Sequence, residues 1–190
     1  MAWYVIDGMD GSGKSTVSQM LAEELRSRGR RVLVLEHPNR SIAIGRLEGR
    51  LLLVDSRPAL IMSSCLYILD VVRSVGVMKR SRRRYDDVIF VRYIMAVSYL
   101  PDRFAALAYR IFDNVLPTPD VRILVDVDER TALSRIESRG EELERFESLE
   151  NLRETRTRML EMSEGWVVID NSRGQEEIGE AIRGILRSPR

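Results

Sequence analysis

Two rhythms alternate along the chain. Short, nearly unbroken apolar runs occur at Trp3-Tyr4-Val5-Ile6, Arg31-Val32-Leu33-Val34-Leu35, Asp87-Val88-Ile89-Phe90-Val91, Val121 to Val127 and Trp166-Val167-Val168-Ile169-Asp170. Runs of this length, rich in β-branched residues and bounded by turn formers, predict strands buried on both faces. Between them the apolar positions recur at helical spacing. Thr16 to Ser27 places Val17, Met20, Leu21 and Leu25 on one side of a helix. Further helices are predicted from Ser41, as N-cap, through Leu53, then from Arg57-Pro58 through most of Ala59 to Val75. Others cover Phe104 to Phe112, Glu129 to Ser138, Glu147 to Met162 and Gln175 to Leu186. Gly29 fits a helix C-cap, and Pro117-Thr118-Pro119-Asp120 a turn into the fourth strand. Strand and helix in regular alternation predict an α/β fold: a five-stranded parallel sheet with helices on both faces. No repeat, low-complexity tail or linker interrupts it, so residues 1–190 read as a single domain.

The joint between the first strand and the first helix is Gly8-Met9-Asp10-Gly11-Ser12-Gly13-Lys14-Ser15-Thr16, which fits G-x-x-x-x-G-K-[ST]. Glycines there let the backbone curl so that successive N–H groups point at phosphate oxygens, and the helix adds its positive end. Lys14 can reach the β- and γ-phosphates of a nucleoside triphosphate, and the Ser15 hydroxyl can hold Mg2+. Ligands of parallel sheets bind at the carboxyl ends of the strands. The phosphate loop, Glu36 to Arg40 and Arg92 all fall at such ends.

Composition narrows the setting. A chain that is 44% hydrophobic and 31% charged is ordinary for a globular protein, and a net charge of +1 gives no global field toward nucleic acid. The lone cysteine, Cys65, excludes an internal disulfide framework and reads as a small buried apolar residue. No signal peptide opens the chain, and no run approaches a membrane span, the stretch from Ala59 to Val72 being broken by Ser63, Ser64 and Asp70. These features read as a cytoplasmic protein with nucleotide partners, without a nucleic-acid or membrane partner. The basic run Lys79-Arg80-Ser81-Arg82-Arg83-Arg84 reads as a solvated loop, and His37, the only histidine, as structural.

The arginines discriminate among phosphate-loop chemistries. Phosphoryl transfer needs placed positive charge and exclusion of water more than covalent help. Arg40 and Arg92 lie where an acceptor phosphate would sit, while Arg135, Arg139 and Arg145 lie in or beside a charged, glycine-containing segment suited to a lid, about 138–147.

The chain resembles the thymidylate kinase family, within the nucleoside monophosphate kinase group of phosphate-loop proteins. The resemblance rests on GMDGSGKST, HPNRSIAIG, Arg92-Tyr93, the stretch from PDVRILVDVDERTALSRI through SRGEELERFE to TRTRMLEM, and IDNS at Ile169 to Ser172. It implies a lid-bearing architecture, ATP and Mg2+, a homodimer, and an acceptor-binding helical region over about 36–80. The implied ATP-binding residues are Gly8, Met9, Asp10, Gly11, Ser12, Gly13, Lys14, Ser15, Thr16 and Arg135, with Ser15 on the metal. Asp10, Arg40, Met62 and Arg92 would bind the acceptor. Because Met9 to Ser12 contains no basic residue, the lid would provide the catalytic cation through Arg139 and Arg145, alongside Lys14 and Arg92.

Three departures from the family pattern stand out, at four positions. Val91 stands where the family has an acid before its arginine, and Glu36, at the end of the second strand, is the available replacement. Met62 and Leu66 stand where a base-stacking phenylalanine and an arginine are expected. Glu36 itself stands where the proline turn commonly begins with arginine. The expected reaction is transfer of the γ-phosphoryl group of ATP to dTMP. A kinase for another nucleotide or small metabolite, or an ATP-binding protein with weak or no kinase activity, remains the alternative. A switch GTPase would need N-K-x-D, which the sequence lacks.

Overall fold

A computed structural model of the chain describes residues 1–39, 41–54, 56–99, 102–138 and 147–187. The predicted strands form as β1 (Ala2–Asp7), β2 (Val32–Glu36), β3 (Asp87–Val91), β4 (Val121–Asp126) and β5 (Val167–Asp170). They pair in parallel in the order β2-β3-β1-β4-β5. All six residues of β1 and all five of β3 are buried, which is why both read as continuous apolar runs.

Helices α1 (Lys14–Ser27) and α7 (Gln175–Arg187) cover one face through Val17, Leu21, Leu25, Ile178 and Ile182. The opposite face packs against α3 (Arg57–Ser81), α5 (Glu129–Glu137) and α6 (Leu149–Glu161), through Val71, Val75, Ile136, Leu152 and Met159. The remaining helices are α2 (Ala43–Leu52) and α4 (Asp102–Val115). Local chemistry sets several starts. Ser56, Asp128 and Ser148 cap α3, α5 and α6 by accepting from the N–H groups of Ala59, Thr131 and Asn151. Gly29, with φ 75°, sits just past the end of α1 and donates to Arg26 O, as the C-cap reading expected.

Four expectations are corrected. Ser41 does not cap α2; Ile42 occupies that position, and Ser41 instead donates its N–H and hydroxyl to Asn39 Oδ1. The α3 helix runs on to Ser81, so the first part of the basic run is helical rather than loop. The extension makes Ile61–Ser81 long and apolar enough to cross a membrane by length and composition, against the expectation that no run is; here its Val71, Val75 and Met78 side packs on the sheet. Cys65 is exposed, not buried, because it points away from that packed side.

Candidate active site

A cleft of about 920 Å³ opens at the carboxyl ends of β1, β2 and β3. It is large enough for nucleotide-sized ligands. Its floor is the phosphate loop. Gly8, Gly11 and Gly13 have φ of 155°, 74° and 92°, and a side chain on any of them would collide with neighbours: Val125 O, Ala132 and Asn171 respectively. Only glycine permits this curl. At the start of α1 no side chain caps the helix and no acid occupies its first turn, and the first residues of the helix, Lys14, Ser15 and Thr16, line the cleft. This is the chemistry of an anion cradle.

Asp10, Gly11, Gly13, Lys14, Ser15 and Thr16 line the cleft directly. Gly8, Met9 and Ser12 are buried beneath it. Lys14 folds back: its Nζ donates to Gly8 O at 2.9 Å and Met9 O at 2.7 Å, and lies 3.6 Å from Asp10 Oδ1. Burial and the Arg92 charge lower its pKa to about 8, against the pull of Asp10 and Asp7. Asp10 joins Lys14, Arg92 and Tyr99. Its Oδ1 pairs with Arg92 Nη2, its Oδ2 accepts from the Tyr99 hydroxyl at 2.7 Å, and its N–H donates to the same Tyr99 oxygen at 3.2 Å. Burial pushes the Asp10 carboxyl up, but Arg92, Lys14 and Tyr99 outweigh it and hold the group well below the usual carboxylate range.

Arg92 is held in an unusual conformation. Its φ is 64°, the left-handed region that costs a non-glycine residue about 1–3 kcal/mol. Contacts on every side impose it. Arg92 N–H donates to Ile6 O, its carbonyl accepts from His37 Nδ1, and its Nη1 donates to His37 O. The next amides, Tyr93 N and Met95 N, donate to Asp7 at 3.0 and 3.3 Å. Asp7, the last residue of β1, is fully buried, and burial raises its pKa to about 6, against those hydrogen bonds and the charges of Lys14 and Arg92. His37 is structural, as the sequence suggested, with burial lowering its pKa.

Placement of the expected base-facing residues differs. Met62 is 55% exposed, does not line the cleft, and lies on the outer side of α3. The inward side carries Tyr67, whose hydroxyl donates to Tyr93 O at 2.6 Å, and the fully buried Asp70, which accepts from Asn39 N at 2.8 Å. One residue of helical register turns a side chain by about 100° and exchanges the faces. Val91 is buried among the α1-side core residues, and its register partner across the β2–β3 ladder is Glu36, exposed at the cleft. Arg135 is brought against the loop, donating to Gly11 O and to Asn171 O. Arg40, Arg139 and Arg145 lie outside the described residues.

Sequence reasoning missed Asp7, Tyr99 and Asn171. Asp7 carried a signal, an acid ending a buried strand just before the loop. Asn171 carried another, a polar residue just past a parallel strand's carboxyl end.

A curled loop between β1 and α1, set in a parallel sheet of order 2-3-1-4-5 and facing an arginine on the adjacent strand end, defines a phosphate-loop nucleotide kinase. Sequence comparison narrows the class. The family profile described as thymidylate kinase matches residues 6–182. A relative from Archaeoglobus fulgidus, a probable thymidylate kinase, is 31% identical over 96% of this chain and 93% of its own length. Another of that description from Pyrobaculum aerophilum is 32% identical over 98% and 97%. A thymidylate kinase of Xanthomonas euvesicatoria is 30% identical over 80% and 68%. The chain belongs to the thymidylate kinase family, and is an enzyme that uses ATP as phosphoryl donor.

Proposed function

We propose that this protein, acting as a single domain over residues 1–190, transfers the γ-phosphoryl group of ATP to dTMP, giving ADP and dTDP. The observation that carries the reading is the adjacency of Lys14, Asp10 and Arg92 at one cleft: a loop cation, a carboxylate and a second cation in contact. Amides of the curl and the α1 N-terminus would hold the donor phosphates. Lys14 would leave Gly8 O and Met9 O for the phosphoryl oxygens. Arg92, with Arg40, would grip the acceptor phosphate, and Asp10 would meet the sugar 3'-hydroxyl. An acceptor phosphate oxygen then attacks the γ-phosphorus, and the bridging bond to the β-phosphate breaks. The cation at the moving group would come from segment 138–147, through Arg139 and Arg145, since Met9 to Ser12 is free of basic residues.

The donor set fits Mg2+ held by phosphates and one hydroxyl: among the described residues no cluster of three acids, histidines or cysteines forms a protein cage. Ser15 would hold the ion and Glu36 would face its waters in place of the acid absent at Val91. When bound, the ion neutralises charge on the phosphoryl oxygens.

A homodimer is the proposed assembly. Ile61, Cys65, Ile68 and Val72 form an exposed stripe at helical spacing on α3, with Ile61 66% and Val72 51% exposed. The single cysteine and ATP dependence support a cytoplasmic setting.

A coupled ADP-release assay across a panel of nucleoside monophosphates tests the reading. The expected result is turnover stimulated most by dTMP. Stimulation by another monophosphate with dTMP at background would overturn the named acceptor. Val91 favours a second reading, an ATP-binding protein with weak kinase activity; binding of ATP with no acceptor response would support it.

A further inference from the structure

Asn171 follows β5 directly and is 7% exposed. Its N–H donates to Asp126 O at 2.8 Å and its carbonyl accepts from Arg135 Nη2 at 3.0 Å, so its backbone is fixed. Its side chain crosses to the phosphate loop, where Nδ2 donates to Ser12 O at 2.6 Å. Only the amide nitrogen can donate to a carbonyl, so the chemistry determines the orientation of that side chain.

The Ser12–Gly13 peptide is planar and trans, so its carbonyl and its N–H point to opposite sides. Holding Ser12 O on the Asn171 side turns the Gly13 N–H the other way. Gly13 borders the cleft and adopts φ 92°, a conformation available because it lacks a side chain. The same freedom makes this peptide easy to rotate. A half-turn would present the Ser12 carbonyl oxygen to the phosphate site, where it repels anions. We infer that Asn171 is a positioning residue for the triphosphate donor, latching the Ser12–Gly13 peptide with its N–H turned toward the phosphates.

The inference rests on ATP being the ligand of the loop, and the test separates the two. Wild type, Asn171→Ala and Asn171→Asp are compared by calorimetric titration with a non-hydrolysable ATP analogue, by KM for ATP and dTMP, and by thermal melting. Asn171→Ala removes one hydrogen bond and should weaken the analogue about tenfold. Asn171→Asp keeps the shape but sets an acceptor against Ser12 O, and should weaken it further. KM for dTMP should stay within about twofold in both, with one net hydrogen bond too small to unfold the chain. Equal analogue affinity in wild type and Asn171→Ala would overturn this inference and leave the kinase reading standing. So would equal losses for ATP and dTMP, which mark a general structural role. A wild type that fails to bind the analogue would remove the kinase reading and this inference with it.

Discussion

Asp7 holds the turn that carries Arg92, and its charge is kept at a measurable cost. Its carboxyl is fully buried and its pKa is raised from 3.8 to about 6, chiefly by burial. Folded protein therefore binds this proton more tightly than unfolded chain. The native state gains stability as pH falls from about 6 toward 3.8, and above pH 6 the whole penalty is present. About two pKa units correspond to about 3 kcal/mol, of which about 2 kcal/mol should be recovered by pH 4.5. Asp7→Asn removes the titration and keeps a carbonyl oxygen to accept from Tyr93 N. Urea unfolding of both proteins between pH 7.5 and 4.5 reads the effect, because the other carboxylates, Asp10 included, cancel in the difference, while Lys14, whose pKa of about 8 Asp7 helps to hold up, adds to it only at the upper end of the range. Wild type should gain on Asp7→Asn by about 2 kcal/mol across that range. A difference independent of pH would refute the assignment of a costly buried charge to Asp7.

Other consequences follow from the same geometry. Lys14→Ala should reduce turnover by about 10²–10³ in the ADP-release assay, and retention of most of the rate would remove Lys14 from the chemistry. Glu36→Gln should raise the Mg2+ concentration for half-maximal rate by about tenfold, with Val91→Asp restoring it in that background; an unchanged Mg2+ requirement would count against Glu36. Ile61→Glu with Ile68→Glu should halve the mass seen by sedimentation and speed alkylation of Cys65, while a monomeric wild type would discard the α3 dimer face.

The elements that read well from sequence are those whose partners are local. Each strand is a short apolar run, and α1 follows from its apolar spacing and the loop pattern before it. Gly29 ends that helix for a reason contained in one residue. What escaped depends on distant contacts. Asp7 earns its role from amides 86 and 88 residues away, and Asn171 from a carbonyl 159 residues away. Met62 was misplaced because family spacing gave a register without an observed helix phase, and α3 carries apolar residues on both its inward and outward sides. That two-sidedness also hid the exposure of Cys65. Ser41 has the composition of a cap, but the competing acceptor at Asn39 Oδ1 draws it away, and the helix starts one residue later.

The order of the strands has an evolutionary consequence. β1 is central and leads into the loop that carries Asp10; Arg92, proposed to grip the acceptor phosphate, follows β3 on its one side, whereas Arg135 and Asn171 approach from β4 and β5 on the other. A substitution at Tyr67 therefore leaves the wall that carries Arg135 and Asn171 untouched. A lineage built this way can trade one monophosphate for another by changes confined to half of its sheet, never passing through an ancestor unable to hold ATP.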